Sequence, residues 1–369
     1  MDPTERPPLS DHPPEILSMI GMRLDDHMDV LRFCSVFPSL RSSFRRWAAP
    51  LPLRNPTPQR PAVFLRASTV CTLETPEGGA ASGRARWLLK LEEAEPGRMR
   101  ILSLFSQRKI AYLPPEFPRV LDSPQFRIVA VCRQYTLDDG RGTEGLFPDV
   151  QKVVMHPDSV WSDLGQCLVY FIDGVGQLGY WKYGDENCSH VVDPQGCGYD
   201  DIVVYGGKVC VVDESGSVWQ IDSSFRLQSF SPPIYCANCR RGSGSGYWMH
   251  LVVSSGDLYV VERYVKRGAH VRAPMRTANT RVYRLDRRFG GRWEKVSSLG
   301  NSAFFLCKHC SFVVPARELG GLDGNCIYYA EEEANSYFSS EDVKVFSLAD
   351  GSIRSLGSSD FLLDMTARH

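Results

Sequence analysis

The chain has 369 residues, 43% hydrophobic and 11% aromatic, enough apolar material for a large buried core, so a wholly disordered chain is excluded. Its 42 Lys and Arg nearly cancel 43 Asp and Glu; the net charge of -1 argues against a surface devoted to nucleic acid or anionic membrane. Met1-Asp-Pro-Thr-Glu-Arg-Pro-Pro lacks the basic and apolar regions of a secretory signal, and no run approaches the ~18 apolar residues of a membrane span. A cytoplasmic and/or nuclear chain is therefore expected, its twelve cysteines kept as free thiols.

Residues 10–49 read as helical. Ser10 and Asp11 suit N-caps and Pro13-Pro14 a first turn. Ile16, Leu17, Ile20 and Leu24 recur at helical spacing, and Asp25-Asp26 interrupt them. Val30, Leu31, Cys34 and Phe37 give a second helix its stripe before Pro38 breaks it, and Leu40, Phe44 and Trp47 predict a third helix capped by Ser39. Helices this short need a partner for their apolar faces. Residues 50–61 carry five prolines in twelve positions, which predicts a stiff linker with neither helix nor strand.

Beyond residue 61 short β-rich runs alternate with turn residues. Ile202–Tyr205, Lys208–Asp213 and Ser217–Ile221, joined at Gly206-Gly207 and Glu214-Ser215-Gly216, predict an antiparallel meander. Gly176-Gln-Leu, Gly216-Ser-Val and Gly256-Asp-Leu sit forty residues apart, each between two strand candidates. A period near forty with three or four strands per unit is a propeller signature; a sandwich with regular hairpins is the alternative at this point.

No catalytic constellation stands out. Gly174-Val-Gly-Gln-Leu-Gly179 matches the dinucleotide fingerprint, but Tyr180-Trp-Lys-Tyr183 follows as strand rather than helix, so a hairpin turn is expected. Cys236-Ala-Asn-Cys239 and Cys307-Lys-His-Cys310 are too far apart for a compact zinc site, and free thiols beside turns are expected over a metal or redox centre. Glu331-Glu-Glu333 reads as a strand cap facing water. Residues 262–295 carry eleven Lys and Arg against three acids, with 266–279 read as a loop. This segment is a solvated loop whose arginines pair with neighbours, a nuclear-import signal, or a docking surface for an acidic partner built on Lys266, Arg267, Arg272 and Arg276, the first being favoured.

Pro13-Pro-Glu-Ile-Leu17, Ile20, Arg23-Leu-Asp-Asp26, Asp29-Val-Leu-Arg-Phe33, Ser35-Val36 and Arg41-Ser-Ser-Phe44 resemble a plant F-box. His12 stands where F-boxes carry Leu before the proline, and Phe37 and Leu40 replace a Cys and a Trp. Tyr199–Lys208, Val211–Val218, Leu251–Leu258, Val282–Asp286, Trp293–Val296, Ser298–Asn301 and Gly324–Tyr329 resemble the KIB-type propeller that follows an F-box in a large plant family. The resemblance implies a small three-helix F-box domain at 10–49, a Pro-rich linker at 50–61, a propeller of six or seven blades at 62–357 and a tail at 358–369. It also implies a non-catalytic substrate-recognition subunit of an SCF-type cullin–RING ubiquitin ligase. Pro14, Ile16, Leu17, Ile20, Leu24, Val30, Leu31 and Val36 would dock a Skp-type adaptor, and the propeller would bind an unidentified protein target. No cofactor, metal, membrane or nucleic-acid partner is expected. The alternative is a propeller interaction module whose degenerate F-box packs on the propeller and does not direct ubiquitination.

Overall fold

The computed structural model describes residues 13–24, 27–37, 50–54, 62–74, 86–95, 98–110, 117, 126–138, 150–158, 164–235, 245–267, 275–287, 291–319, 321–331 and 342–358. Their strands form five sheets. The first contains β1 (Leu51–Arg54), β2 (Val63–Glu74), β3 (Arg86–Glu95), β4 (Arg98–Leu102) and β5 (Arg127–Asp138). The second holds β6 (Val150–His156), β7 (Leu168–Asp173), β8 (Leu178–Lys182) and β9 (Ser189–His190). The third holds β10 (Tyr199–Tyr205), β11 (Lys208–Asp213), β12 (Val218–Ile221) and β13 (Leu227–Ser229). The fourth is β14 (Ser245–Ser254), β15 (Asp257–Arg267), β16 (Met275–Asp286) and β17 (Arg292–Val296). The fifth is β18 (Ser302–Leu306), β19 (Ser311–Pro315), β20 (Cys326–Glu331), β21 (Asp342–Ser347) and β22 (Ile353–Ser358).

One strand from each sheet neighbours the next, in the order β5, β6, β10, β14, β19 and back to β5. This closed ring makes the fold a five-bladed β-propeller and overturns both the sandwich and the expectation of six or seven blades. Blades 2, 3 and 4 run from inside to outside in chain order. Blade 1 instead begins at its second strand, moves outward through β3 and β4, and returns to place β5 innermost. Blade 5 likewise folds β19 inside β18, so that β18 pairs parallel with β20.

Both faces of an inner strand are covered by neighbouring blades, so these strands read as unbroken apolar runs rather than alternating ones. In β11, Val209 and Val211 pack toward Tyr170 and Ile172 of blade 2, while Cys210 and Val212 pack toward Met249, Leu251 and Leu258 of blade 4. Gly206 and Gly207, with φ of +57° and +72°, make the two-residue turn between β10 and β11 that the sequence announced. Gly176 and Gly216 end equivalent turns between second and third strands. In each turn an aspartate carboxylate, Asp173 or Asp213, accepts two backbone N–H groups at 2.8–3.0 Å. The same carboxylate-pinned turn recurs at Asp222, with Phe225 at φ +57° in the glycine's place. Gly256, however, turns between the first and second strands of blade 4, so the forty-residue glycine spacing is out of phase with the blades. Gly179, end of the dinucleotide-like motif, is a strand residue opposite Phe171, whose ring occupies the space a Cβ would need.

The Pro-rich stretch is not wholly a linker. Leu51–Arg54 forms β1 on the edge of blade 1, with Pro52 exposed, Leu53 buried and a bulge between Pro52 and Arg54. An edge strand tolerates a proline because one row of its backbone groups has no ladder partner to lose. Among the described residues no strand is exchanged between the first and last blades. They meet through a shared core of Val70, Leu88, Leu104, Phe105, Ala303 and Phe305, where Phe305 stacks between Phe312 and Tyr328 at 4.9 and 4.7 Å. The Lys308 N–H donates to the Phe105 carbonyl at 3.1 Å, and the Arg86 guanidinium donates to the Glu318 carbonyl.

Two α-helices precede the propeller among the described residues, α1 (Pro14–Gly21) and α2 (His27–Val36), so the structure does not describe the expected three-helix domain. The third helix, with Leu40, Phe44 and Trp47, lies outside the described residues, as do Ser10 and Asp11. The N-cap of α1 is Pro13, whose carbonyl accepts the Ile16 and Leu17 N–H groups at 3.0 and 3.2 Å.

Candidate functional site

The two helices have two unlike faces. Leu17 and Phe37 are buried and pack with Phe33, the two phenyl rings 4.9 Å apart and tilted. Val30 and Cys34 are also buried, and α2 leans on β5, where the Arg32 guanidinium donates to the Ile128 carbonyl and also holds Asp29 at 2.7 Å. On the other side Ile16, Met19, Met22 and Val36 are 40–68% exposed. Residues 16 and 19 on α1 and Met22 at its C-cap recur every three positions, an apolar stripe exposed among the described residues.

The eight residues expected at an adaptor interface therefore separate. Pro14, Ile16 and Val36 are exposed; Ile20 and Leu24 are half-buried; Leu17 and Val30 turn inward; the Leu31 side chain lies outside the described residues. Met19 and Met22 carry the same stripe at i+3, a spacing that could have drawn attention to them. A flexible thioether suits an adaptable interface. Phe37, standing where an F-box carries cysteine, supplies an apolar anchor that closes the helix pair.

Of the expected loop at 266–279, residues 266–267 end β15 and 275–279 open β16, so both ends are strand; 268–274 lie outside the described residues. Glu262 and Arg263 lie in β15, and Arg276, Arg281 and Arg284 in β16. Arg276 pairs with Glu331 at 2.7 Å and Asp342 at 3.5 Å, Arg281 with Glu262 at 3.7 Å, and Arg284 with Glu294 at 3.2 Å. Arg263 is buried, 4.1 Å above the Tyr329 ring, and its guanidinium donates to Thr277 Oγ1 at 2.7 Å. Glu262 and Glu294 belong to the segment itself; Glu331, Asp342 and Asp257, the last 3.9 Å from Arg284, reach it from outside. Glu331 is buried and accepts the Thr277 N–H at 2.8 Å, which corrects its reading as a water-facing cap. Lys266 stays exposed over Tyr264; the Arg267 side chain and Arg272 lie outside the described residues. Around Lys266, at the end of the blade where β14 begins, Tyr247 and Tyr264 approach to 5.0 Å and Trp248 is 39% exposed. This aromatic and cationic end of blade 4 has the composition of a protein-recognition surface.

Several polar and charged groups are buried between the blades. The Lys152 ammonium on β6 holds the Asp201 carboxylate on β10, which also accepts the Ile202 and Leu251 N–H groups at 2.6 and 2.8 Å. Burial pushes the Asp201 carboxyl up from its ordinary range, against the pull of Lys152 and those two donors. Burial likewise holds the imidazoles of His250 and His309 well below their usual range, with Lys152 adding to both shifts. Tyr235 and Tyr283 hydroxyls meet at 2.9 Å, and Tyr235 donates to Glu262, whose carboxyl burial raises. Of the two C-x-x-C pairs, Cys236 and Cys239 lie outside the described residues. Cys307 and Cys310 flank the β18–β19 turn, where the Cys307 N–H donates to the Cys310 carbonyl at 2.9 Å. Among the described residues no group of three or more His, Cys, Asp or Glu side chains is arranged to hold a metal ion. Among them, too, no helix is long and apolar enough to cross a membrane.

Residues 63–347 match the model of the KIB1-4 beta-propeller family. The chain is similar to three proteins of Arabidopsis thaliana along nearly their whole lengths. It is 30% identical to "Putative F-box protein At5g60060" over 347 residues, covering 87% of each chain. It is 27% identical to F-box protein At4g35733 over 380 residues, covering 95% of each. It is 24% identical to F-box protein SKIP23 over 352 residues, covering 86% of this chain and 82% of the relative. With a family model matched over its five-bladed ring and a relative 30% identical over 87% of each chain, the chain belongs to the KIB1-4 β-propeller family and is a plant F-box protein with a KIB-type propeller.

Proposed function

We propose that the chain is the substrate-recognition subunit of an SCF-type cullin–RING ubiquitin ligase, acting in the cytoplasm and/or nucleus. The observation that carries this reading is the stripe of Ile16, Met19 and Met22, exposed among the described residues, with Val36 exposed near the end of α2. A Skp-type adaptor covers that stripe. The F-box names of the relatives support the partner. Arg32 ties α2 to the start of β5, so the adaptor side and the propeller keep a fixed relation, as a ligase needs in order to present a target. The target docks on the Tyr247, Trp248, Tyr264 and Lys266 end of blade 4, and the chain itself performs no bond chemistry.

The packing of α2 on blade 1 also favours a second reading, in which the helices are an ornament of the propeller and the chain binds partners without directing ubiquitination. A pull-down from plant extract separates the two, comparing the wild type with Ile16→Asp/Met19→Asp. Loss of adaptor and cullin with retention of other partners is expected. Recovery of the same partners, with no adaptor from either form, overturns the ligase reading.

A further inference from the structure

The seam between the first and last blades carries a thiol pair that neither the adaptor nor the target surface uses. Cys132 lies on β5, the innermost strand of blade 1, and Cys310 ends the turn that leads into β19, the innermost strand of blade 5. Their sulfurs are 3.8 Å apart, across 178 residues of chain. The turn bearing Cys310 is docked onto blade 1 by the Lys308 N–H and the Phe105 carbonyl, which holds the two thiols in register. Both cysteines are half-buried as residues, whereas Cys307 is buried.

We propose that Cys132 and Cys310 form a modification site that a hydroperoxide oxidises to an interblade disulfide, closing the propeller ring covalently. The thiolate of Cys310 attacks the peroxide O–O bond, forming the sulfenic acid and releasing an alcohol, or water from hydrogen peroxide. The Cys132 sulfur then attacks the sulfenic sulfur. The S–O bond breaks, the Cys132 proton goes to the departing oxygen, and water leaves. Two thiols lose two electrons in total and the peroxide gains them. The environment supports Cys310 as the attacking sulfur. The Cys132 and Cys307 S–H groups donate to it, and Lys90 and Lys152 add positive charge, which together hold its thiol well below the ordinary range. Burial and the same sulfur contacts hold Cys132 and Cys307 protonated. The sulfurs have to close from 3.8 Å to the ~2.05 Å of a disulfide, a movement that side-chain rotation supplies. Among the described residues no strand crosses this seam, and the bond would add a covalent link there.

The test is hydrogen peroxide titration of the full chain, followed by non-reducing peptide mapping and urea unfolding before and after dithiothreitol. A Cys132–Cys310 crosslinked peptide is expected, with an oxidised form that unfolds at higher urea and returns on reduction. Cys310→Ser should slow peroxide consumption at least tenfold, and Cys132→Ser should leave a Cys310 sulfenic acid that a dimedone probe traps. Mapping of the wild type does not depend on the variants folding. A Cys307–Cys310 bond, or oxidation of Cys310 without any link to Cys132, overturns the proposal.

Discussion

Replacing Lys152 by Met tests the account of how the inner strands are held together. The Lys152 ammonium is the charge partner of Asp201, and the two side chains are only 7% and 1% exposed. Asp201 links three blades, since it sits on β10, pairs with β6 and accepts the Leu251 N–H of β14 at 2.8 Å. Methionine keeps most of the apolar stem and removes the charge, leaving a buried carboxylate with two backbone donors. Breaking one side of a buried pair costs about 3–5 kcal/mol. The sign of the pH dependence follows from burial. Asp201 already has a folded-state pKa raised above its ordinary value, and loss of Lys152 raises it further. A carboxyl of that kind loses stability as pH rises from its ordinary pKa toward its folded one, so the penalty is larger at pH 7 than at pH 5. Lys152→Met/Asp201→Asn retains an oxygen for the Leu251 N–H without a stranded charge, and should be more stable than Lys152→Met alone. Urea unfolding at pH 7 and pH 5, monitored by fluorescence and circular dichroism to test for a single transition, measures all of this. A Lys152→Met cost below about 1 kcal/mol, or a double variant weaker than the single, would refute the reasoning.

Two further outcomes follow from particular contacts. Gly179→Ala places a methyl group inside the Phe171 ring. It should cost about 1–3 kcal/mol in thermal or urea unfolding, with recovery in Gly179→Ala/Phe171→Leu. The neutral imidazoles of His250 and His309 have folded pKa values far below the ordinary 6.5, so the unfolded chain takes up protons first and stability falls with pH. At pH 5.5 each should have cost up to about 1.4 kcal/mol, and His309→Gln should flatten the pH 7 to 5.5 slope by that amount; an unchanged slope counts against it.

The meander from Tyr199 to Ile221 was legible because its glycines sit where φ is positive and its valines fill two interblade cores at once. Blade number was not. Gly176 and Gly216 mark equivalent turns but Gly256 does not. Blade 1 takes the chain from Leu51 to Asp138, and three of the four strands of blade 4 run to ten residues or more, so a fixed count per blade fails. The inward return of β5 leaves no local signal, since a strand's apolar run is the same at any rank in a blade. Pro52 hid a strand because an edge position spares the proline its usual cost. At the helices, periodicity located the apolar residues but not which face the protein itself would use. Leu17 and Val30 went inward because Phe37 and blade 1 were there to receive them, leaving Met19 and Met22 outside with Ile16. In the basic segment, cationic content was plain and its neutralisation was not, because Glu331 and Asp342 arrive from blade 5.

The central claim is that the exposed stripe of α1 and the end of α2 is an adaptor-docking face. Calorimetric titration of the purified chain with a purified Skp-type adaptor tests it most directly. The account predicts a one-to-one complex that Ile16→Asp/Met19→Asp weakens at least a hundredfold while leaving the propeller's unfolding transition in place. No heat of binding at tens of micromolar, or equal affinity for the wild type and the variant, would contradict it.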